Sequence, residues 1–330
     1  MVQWMHYCIG RNISMDTMKM ISQLAVGDRL EGCFLLQTAQ GRTSSNGKPF
    51  LSAVIADRSG TIDAKVWDYP GPISSADEGQ PVHLRGVVSE FRGALQLTID
   101  RLRLVEPDEA VDLDRLVPVA PIDSHVEYRY IQDLVHSIED PDYRAVAEKM
   151  LEKHGEALFQ IPAAKSVHHS FVHGLLMHTG SMLRLADFLS DLYRGTVDRS
   201  LLLTGTLLHD LAKAREFSFS RLGLVTEYSV PGQLLGHLVM GAQDALDVAK
   251  EVGMPEEKSI LLQHLILSHH GQPEFGAAVL PCCAESELLS LIDQMDSRME
   301  IYAEAMEETP VGTFSKRIFA LDNKKIFNHG

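Results

Sequence analysis

The sequence predicts a multidomain chain, a small all-β barrel followed by an all-α domain. Three observations carry that expectation. Short apolar or alternating runs divided by turn residues fill residues 24–106; from about residue 125 the apolar period becomes 3.6; and an acidic, proline-bearing stretch separates the two patterns. At 330 residues, 45% hydrophobic and 23% charged, the chain is long enough for two cores of ordinary globular composition. The resulting division is a poorly ordered leader over residues 1–19, a barrel over 20–106, a linker over 107–122 and a helical domain over 123–330.

The leader has few charges and no basic-then-apolar signal pattern, and no apolar run approaches the roughly 20 residues that span a bilayer. A cytoplasmic, membrane-free protein is the expectation. Cys8, Cys33, Cys282 and Cys283 lack C-x-x-C spacing and are too few to staple a chain of this length, so they read as reduced, structural thiols.

Five runs make the barrel: Phe34 to Leu36, Phe50 to Ala56, Thr61 to Trp67, Val82 to Val88 and Ala94 to Ile99. In the third, Ile62, Ala64 and Val66 share one face, which leaves Lys65 and Trp67 on the other. The first connection, Ala39 to Pro49, reads as a long polar loop carrying Arg42 and Lys48. Five short strands with a mobile basic loop suggest an OB-like barrel, whose outer face and first loop bind oligonucleotides. Trp67 with Arg42 and Lys48 then forms a stacking-and-phosphate surface for a single strand. The competing account is a barrel that only docks on the second domain, with Trp67 in the seam.

The net charge of −15 at first argues against a nucleic-acid partner, yet it is unevenly placed. Basic and acidic residues balance at eleven each in residues 1–106, whereas 107–330 hold nineteen against thirty-four. The excess lies where carboxylates could hold divalent cations, which reverse the local field toward phosphate. In that half, Gly174 to Leu192, Arg199 to Arg215, Gln233 to Val252, Glu256 to His270 and Glu285 to Met306 read as helices, with Met295, Met299 and Met306 as helix core. Glu216 to Tyr228 reads as a loop or small hairpin.

Nine of the fifteen histidines fall between residues 168 and 270, mostly on apolar helices. One such histidine is ordinarily a satisfied core residue; nine, paired and clustered, point to metal. The centre is His209-Asp210, at the end of the run Thr204 to Leu208, because burying that pair is costly unless it is partnered or metal-bound. Imidazole and carboxylate suit Mn²⁺, Fe²⁺, Zn²⁺ or Mg²⁺. Lys213, four residues after His209, emerges on nearly the same face and would meet a phosphate as a point charge. His178, His209, Asp210 and Asp293 would make one site. His237 and the pair His269-His270 would supply a second, with Asp210 bridging. Asp296 shares a helical face with Asp293, so either could bind while the other supports it.

The order His…His-Asp…Asp resembles the HD superfamily of metal-dependent phosphohydrolases, and the intervening His and His-His resemble its two-metal members. Longer strings, His168 to Thr179, Gly232 to His237, Leu265 to Gly271 and Ile318 to Asn323, are similar to the YhaM family of 3′→5′ exoribonucleases. His173 stands where that family would have a small residue, usually glycine. The resemblance implies a manganese-preferring 3′→5′ exoribonuclease, also able to use single-stranded DNA, with Co²⁺ a further substitute metal and a homo-oligomer compatible. Asp210 and Lys213 would then be catalytic, with His168 and His169 meeting the phosphate or the terminal ribose of single-stranded RNA. A small-molecule nucleotide phosphohydrolase or cyclic-dinucleotide phosphodiesterase is the rival enzyme, and an RNA-binding protein with a relic catalytic fold the non-enzymatic one.

Overall fold

The computed structural model describes residues 19–330 apart from 107, 110, 118, 160, 162–171 and 220–224. The expectations for residues 1–18, His168 and His169 therefore lie outside the described residues. The chain divides into two compact units between Val117 and Pro118. No described helix is long and apolar enough to cross a membrane.

The first unit is a closed five-stranded barrel of β1 (Arg29–Thr43), β2 (Pro49–Asp57), β3 (Gly60–Trp67), β4 (Pro81–Phe91) and β5 (Ala94–Leu104), in the order β1-β2-β3-β5-β4. Closure requires β1 to serve two neighbours, so it is long: Arg29 to Leu35 pair with β4, and Leu35 to Thr43 with β2. Strand alternation sends Phe34, Leu36, Leu51, Ile55, Ile62, Ala64, Val66, Leu84 and Leu97 inward, where each is buried. The expected face of β3 is the observed one.

The expected loop from Ala39 to Pro49 is corrected. Gly41, Arg42 and Thr43 continue β1 and pair with Leu51, Phe50 and Pro49, leaving a turn of residues 44–48 closed by the Ser44 amide on the Lys48 carbonyl at 2.8 Å. Polar residues here mark the wet face of a strand, whose backbone bonds are made whatever the side chains. Within the stretch read as linker, Leu113–Leu116 form a single helical turn, α1, and the Arg58 amide donates to the Arg115 carbonyl at 2.9 Å.

The second unit is helical: α2 (Ser124–His136), α3 (Pro141–Leu158), α4 (Gly174–Leu192), α5 (Arg199–Leu208), α6 (Lys213–Glu216), α7 (Val230–Val252), α8 (Glu256–Ser268) and α9 (Ala284–Glu307). Asp123, Asp140, Asp198 and Ser229 cap α2, α3, α5 and α7 by accepting from first-turn amides. A hairpin of β6 (Phe217–Phe219) and β7 (Val225–Tyr228) follows α6. The core gathers Leu175, Leu176, Met182, Leu202, Leu207, Leu262, Leu265, Ile266, Leu289 and Ile292.

Two further expectations change. The helix read over Arg199 to Arg215 breaks after Leu208, and the chain turns through His209 to Ala212 before α6. The apolar pattern read through this break because Leu211 and Ala212 are buried as well. Met295 and Met299 are not core: they are 42% and 55% exposed, because the inward face of α9 is taken by Leu289, Ile292, Asp296 and Ile301.

Candidate metal centre

Five elements converge on one point. His178 comes from α4, His209 and Asp210 from the turn ending α5, His237 from α7, His269 and His270 from the end of α8, and Asp293 and Asp296 from α9. Two backbone devices aim them. Gly236 interrupts α7 with φ +72°, in the left-handed region open to glycine, and so redirects the chain immediately before His237. Gly271 (φ +75°) lets the chain after His270 pass Ser290, whose Oγ would stand 2.5 Å from an added Cβ.

The tautomers follow from the partners. Nδ1 of His209 lies 2.7 Å from the Thr206 carbonyl and Nδ1 of His269 lies 2.7 Å from the Ile266 carbonyl. Nδ1 of His178 lies 2.7 Å from Asp296, and Nδ1 of His237 lies 3.0 Å from Glu216. Those oxygens only accept, so each Nδ1 carries a proton and donates it. Nε2 of His209, His237 and His269 is then left to face inward with a lone pair, whereas Nε2 of His178 faces the Asp293 carboxylate and would give up its proton to a bound ion.

Around Asp210 these nitrogens form two sets. Oδ2 stands 3.4 Å from His209 Nε2 and 4.0 Å from His178 Nε2; Oδ1 stands 3.4 Å from His237 Nε2 and 3.7 Å from His269 Nε2. Asp293 Oδ1 lies 3.3 Å from His178 Nε2. Among the described atoms, Nε2 of His209, His237 and His269, Nδ1 of His270 and Oδ1 of Asp210 are buried without hydrogen-bond partners. Each such atom costs about 1–3 kcal/mol when left unmade, and a bound ion would satisfy all five at one point. Imidazole and carboxylate bonds to Zn²⁺-like ions are about 2.0–2.2 Å, which puts ligands of one ion roughly 3–4 Å apart, as here. The donor set therefore fits divalent metal: His178, His209 and Asp210 cluster, as do His237, His269 and His270.

Charge agrees with that chemistry. Burial, then the neighbouring imidazoles, push His269 and His270 below the usual histidine range, so both are neutral and able to coordinate. Burial would raise the Asp210 carboxyl, but Lys213 and His209 outweigh it and hold it well below the carboxylate range. Burial lowers His178 too, yet the carboxylates of Asp293 and Asp296 dominate and hold it at about 9. Lys213 places its ammonium 2.6 Å from Asp210 Oδ2 and lines the same cavity.

Sequence reasoning missed Glu216. It accepts from both the backbone amide (3.1 Å) and the ring of His237, 21 residues on, across a hairpin that no local spacing reveals. Changing Glu216 to Gln should weaken metal at the His237 side roughly 10–100-fold, read as the Mn²⁺ concentration at half-maximal activity; an unchanged value would remove Glu216 from the site. Asp293 and Asp296, alternatives in the sequence, take opposite nitrogens of one ring, with Ser181 holding Asp296. His173 has φ +65°, a left-handed conformation that glycine adopts without strain and that suits the small residue expected there. His264 is apart, accepting the Cys282 amide at 3.0 Å.

The cavity lined by His178, Asp210, His237, His269, His270 and Asp293 measures about 500 Å³. On the first unit, Arg42, Phe50 and Trp67 are cross-strand neighbours in one row, and Lys65 lies 5.4 Å over the Phe50 ring. Trp67 is 53% exposed, its ring 5.0 Å from Phe50. Lys48 pairs with Asp68 in the open, at 2.8 Å.

Residues 175–298 match the family model of the HD domain, and residues 37–105 that of an OB-fold nucleic acid binding domain. The chain is 37% identical over 307 residues to the 3′-5′ exoribonuclease YhaM of Shouchella clausii, covering 92% of this chain and 94% of that protein. It is 36% identical over 315 residues to the protein of that name from Listeria welshimeri, covering 94% and 98%. With the Bacillus pumilus protein of that name it shares 36% over 303 residues, covering 92% and 95%. A barrel in front, a histidine-rich helical domain behind and likeness over nine-tenths of the length lead to one assignment: the chain belongs to the YhaM family of 3′-5′ exoribonucleases.

Proposed function

We propose that this chain is a cytoplasmic, metal-dependent 3′→5′ exoribonuclease. It trims single-stranded RNA, accepts single-stranded DNA as a second substrate, and uses two divalent ions, with Mn²⁺ the favoured pair over Fe²⁺, Mg²⁺, Zn²⁺ or Co²⁺. The observation that carries the reading is Asp210, one carboxylate oxygen facing His178 and His209 and the other facing His237 and His269. Two ions bound there would supply an activated water and neutralise the phosphate. The water oxygen bonds to phosphorus and the bond to the preceding 3′ oxygen breaks, releasing a nucleoside 5′-monophosphate and a new 3′-hydroxyl.

The protein's own groups prepare that step. Lys213 keeps Asp210 ionised and adds positive charge beside the phosphate position. Asp296, Glu216 and the Thr206 and Ile266 carbonyls hold four imidazole rings in fixed orientation, so no reorientation is needed when substrate arrives. Asp293 supplies the further carboxylate beside His178.

Digestion of 5′-labelled single-stranded RNA with Mn²⁺ tests the reading. Fragments should shorten from the 3′ end, and an Asp210→Ala protein should leave the strand intact. Intact RNA with every divalent metal tried would refute it.

The barrel patch makes a separate prediction. Trp67→Ala should weaken single-strand binding roughly 5- to 100-fold, the loss of one stacked base, and leave the salt dependence unchanged because no charge is removed. Equal affinity in a filter-binding titration would leave Trp67 without that role.

A further inference from the structure

The wall of the catalytic cavity has a second chemical character. Beside imidazole and carboxylate, its lining includes Phe217, Tyr228, Phe275 and Ile301. Phe275 is 64% exposed and Tyr228 is 43% exposed. Isolated exposed aromatics are ordinary; two at the mouth of one metal-ligand cavity are not explained by the phosphate chemistry, since a phosphate gains nothing from a ring face.

Both rings are anchored by their neighbours. Tyr228 ends β7 and packs on the buried Phe217, ring centroids 5.1 Å apart. Phe275 closes a 3-10 turn, Pro273–Phe275, only five residues after His270. The Gln272 amide donates to the His270 carbonyl at 2.9 Å and the Phe275 amide to the Gln272 carbonyl at 3.0 Å, so that turn is built directly on the metal-site histidine. A cavity of about 500 Å³ is in the range for a single small ligand.

We infer that Phe275 and Tyr228 form a stacking rim for the base of the nucleotide being removed, an inference that rests on the exoribonuclease reading above. Stacking suits that task because every nucleobase has a π-face, so an enzyme that removes nucleotides one after another can grip each without reading it. The rim is a positioning device: it sets the terminal phosphate over the metal ligands and takes no part in bond breaking.

The test compares 5′-AMP with ribose 5-phosphate, which share the phosphate and sugar and differ only in the base, by calorimetric titration of the Mn²⁺-loaded full-length protein. The wild-type protein should bind 5′-AMP roughly 5- to 100-fold more tightly. Phe275→Ala should collapse that preference toward unity, Phe275→Leu should lose most of it while keeping apolar bulk, and Phe275→Trp should retain it; Tyr228→Ala should act as Phe275→Ala does. On RNA, Phe275→Ala should raise KM more than it lowers kcat, and should do so for an ordinary 3′ end and not for an abasic one. A wild-type protein without preference for 5′-AMP overturns the inference. So does a Phe275→Ala loss shared equally by both ligands, which would assign the ring to holding the His270 turn. Failure of the wild-type protein to trim RNA, with the 5′-AMP preference intact, would instead sink the exoribonuclease reading and leave the rim standing.

Discussion

Asp210→Asn should lower the rate of 3′-end trimming by about 10³-fold or more, since metal stabilisation of the transition state is worth several kcal/mol at about 1.4 kcal/mol per decade. The amide keeps the volume of the carboxylate but not its charge or its second oxygen, and it is that pair of oxygens that faces both sets of imidazoles. Bound metal measured by elemental analysis should fall with the activity. A stability effect must be separated from this one. Lys213 is nearly buried and loses its closest anion, and stranding one partner of a buried pair typically costs about 3–5 kcal/mol. The carboxylates of Asp293 and Glu216 also bear on Lys213, so the cost falls toward the lower end. Adding Lys213→Met removes the stranded charge, so the double variant should recover thermal stability while remaining inactive. Trimming by Asp210→Asn above a tenth of the wild-type rate would refute the bridging role.

Loading the metal-free protein with Mn²⁺ should raise its melting temperature by roughly 5–15 °C. An ion that binds the folded state alone, at a free concentration of 100 to 1,000 times Kd, stabilises it by about 2.7–4.1 kcal/mol, and in a domain of 150–250 residues each kcal/mol is worth about 2–4 °C. The structural cause is the set of buried, unpartnered ring nitrogens of His209, His237, His269 and His270 with Asp210 Oδ1. A bound ion gives them partners at once, and the unfolded chain holds them apart. Scanning fluorimetry in chelator and then in Mn²⁺ reads the shift, which Asp210→Asn should abolish and Glu216→Gln should reduce. Identical melting in chelator and in each of the five candidate metals would exclude a tight metal centre.

Much of this was legible in the chain itself because it is local. Burial on one face of a small barrel enforces a period of two, so the side assignment of Ile62, Ala64 and Val66 against Trp67 follows from residue order alone. The packed stripes of α4, α7 and α9 enforce a period near 3.6 in the same way. Errors arose where polarity and structure part company. Arg42 is polar because its face of β1 is wet, not because the chain loops there, and Leu211 and Ala212 are apolar because the turn after α5 is buried, not because the helix continues.

For the site, residue type and order determined the candidates: histidines crowded on apolar helices, a His-Asp pair at a helix end, a carboxylate on the final long helix. What sequence could not supply was direction. That Asp293 meets Nε2 of His178 while Asp296 meets Nδ1, and that Glu216 reaches His237 across a hairpin, depend on atoms brought together from up to 118 residues apart. Periodicity reports which face of its own helix a side chain occupies. Only the packing of five elements against one another decides which nitrogen, and which oxygen, that face presents to the common centre.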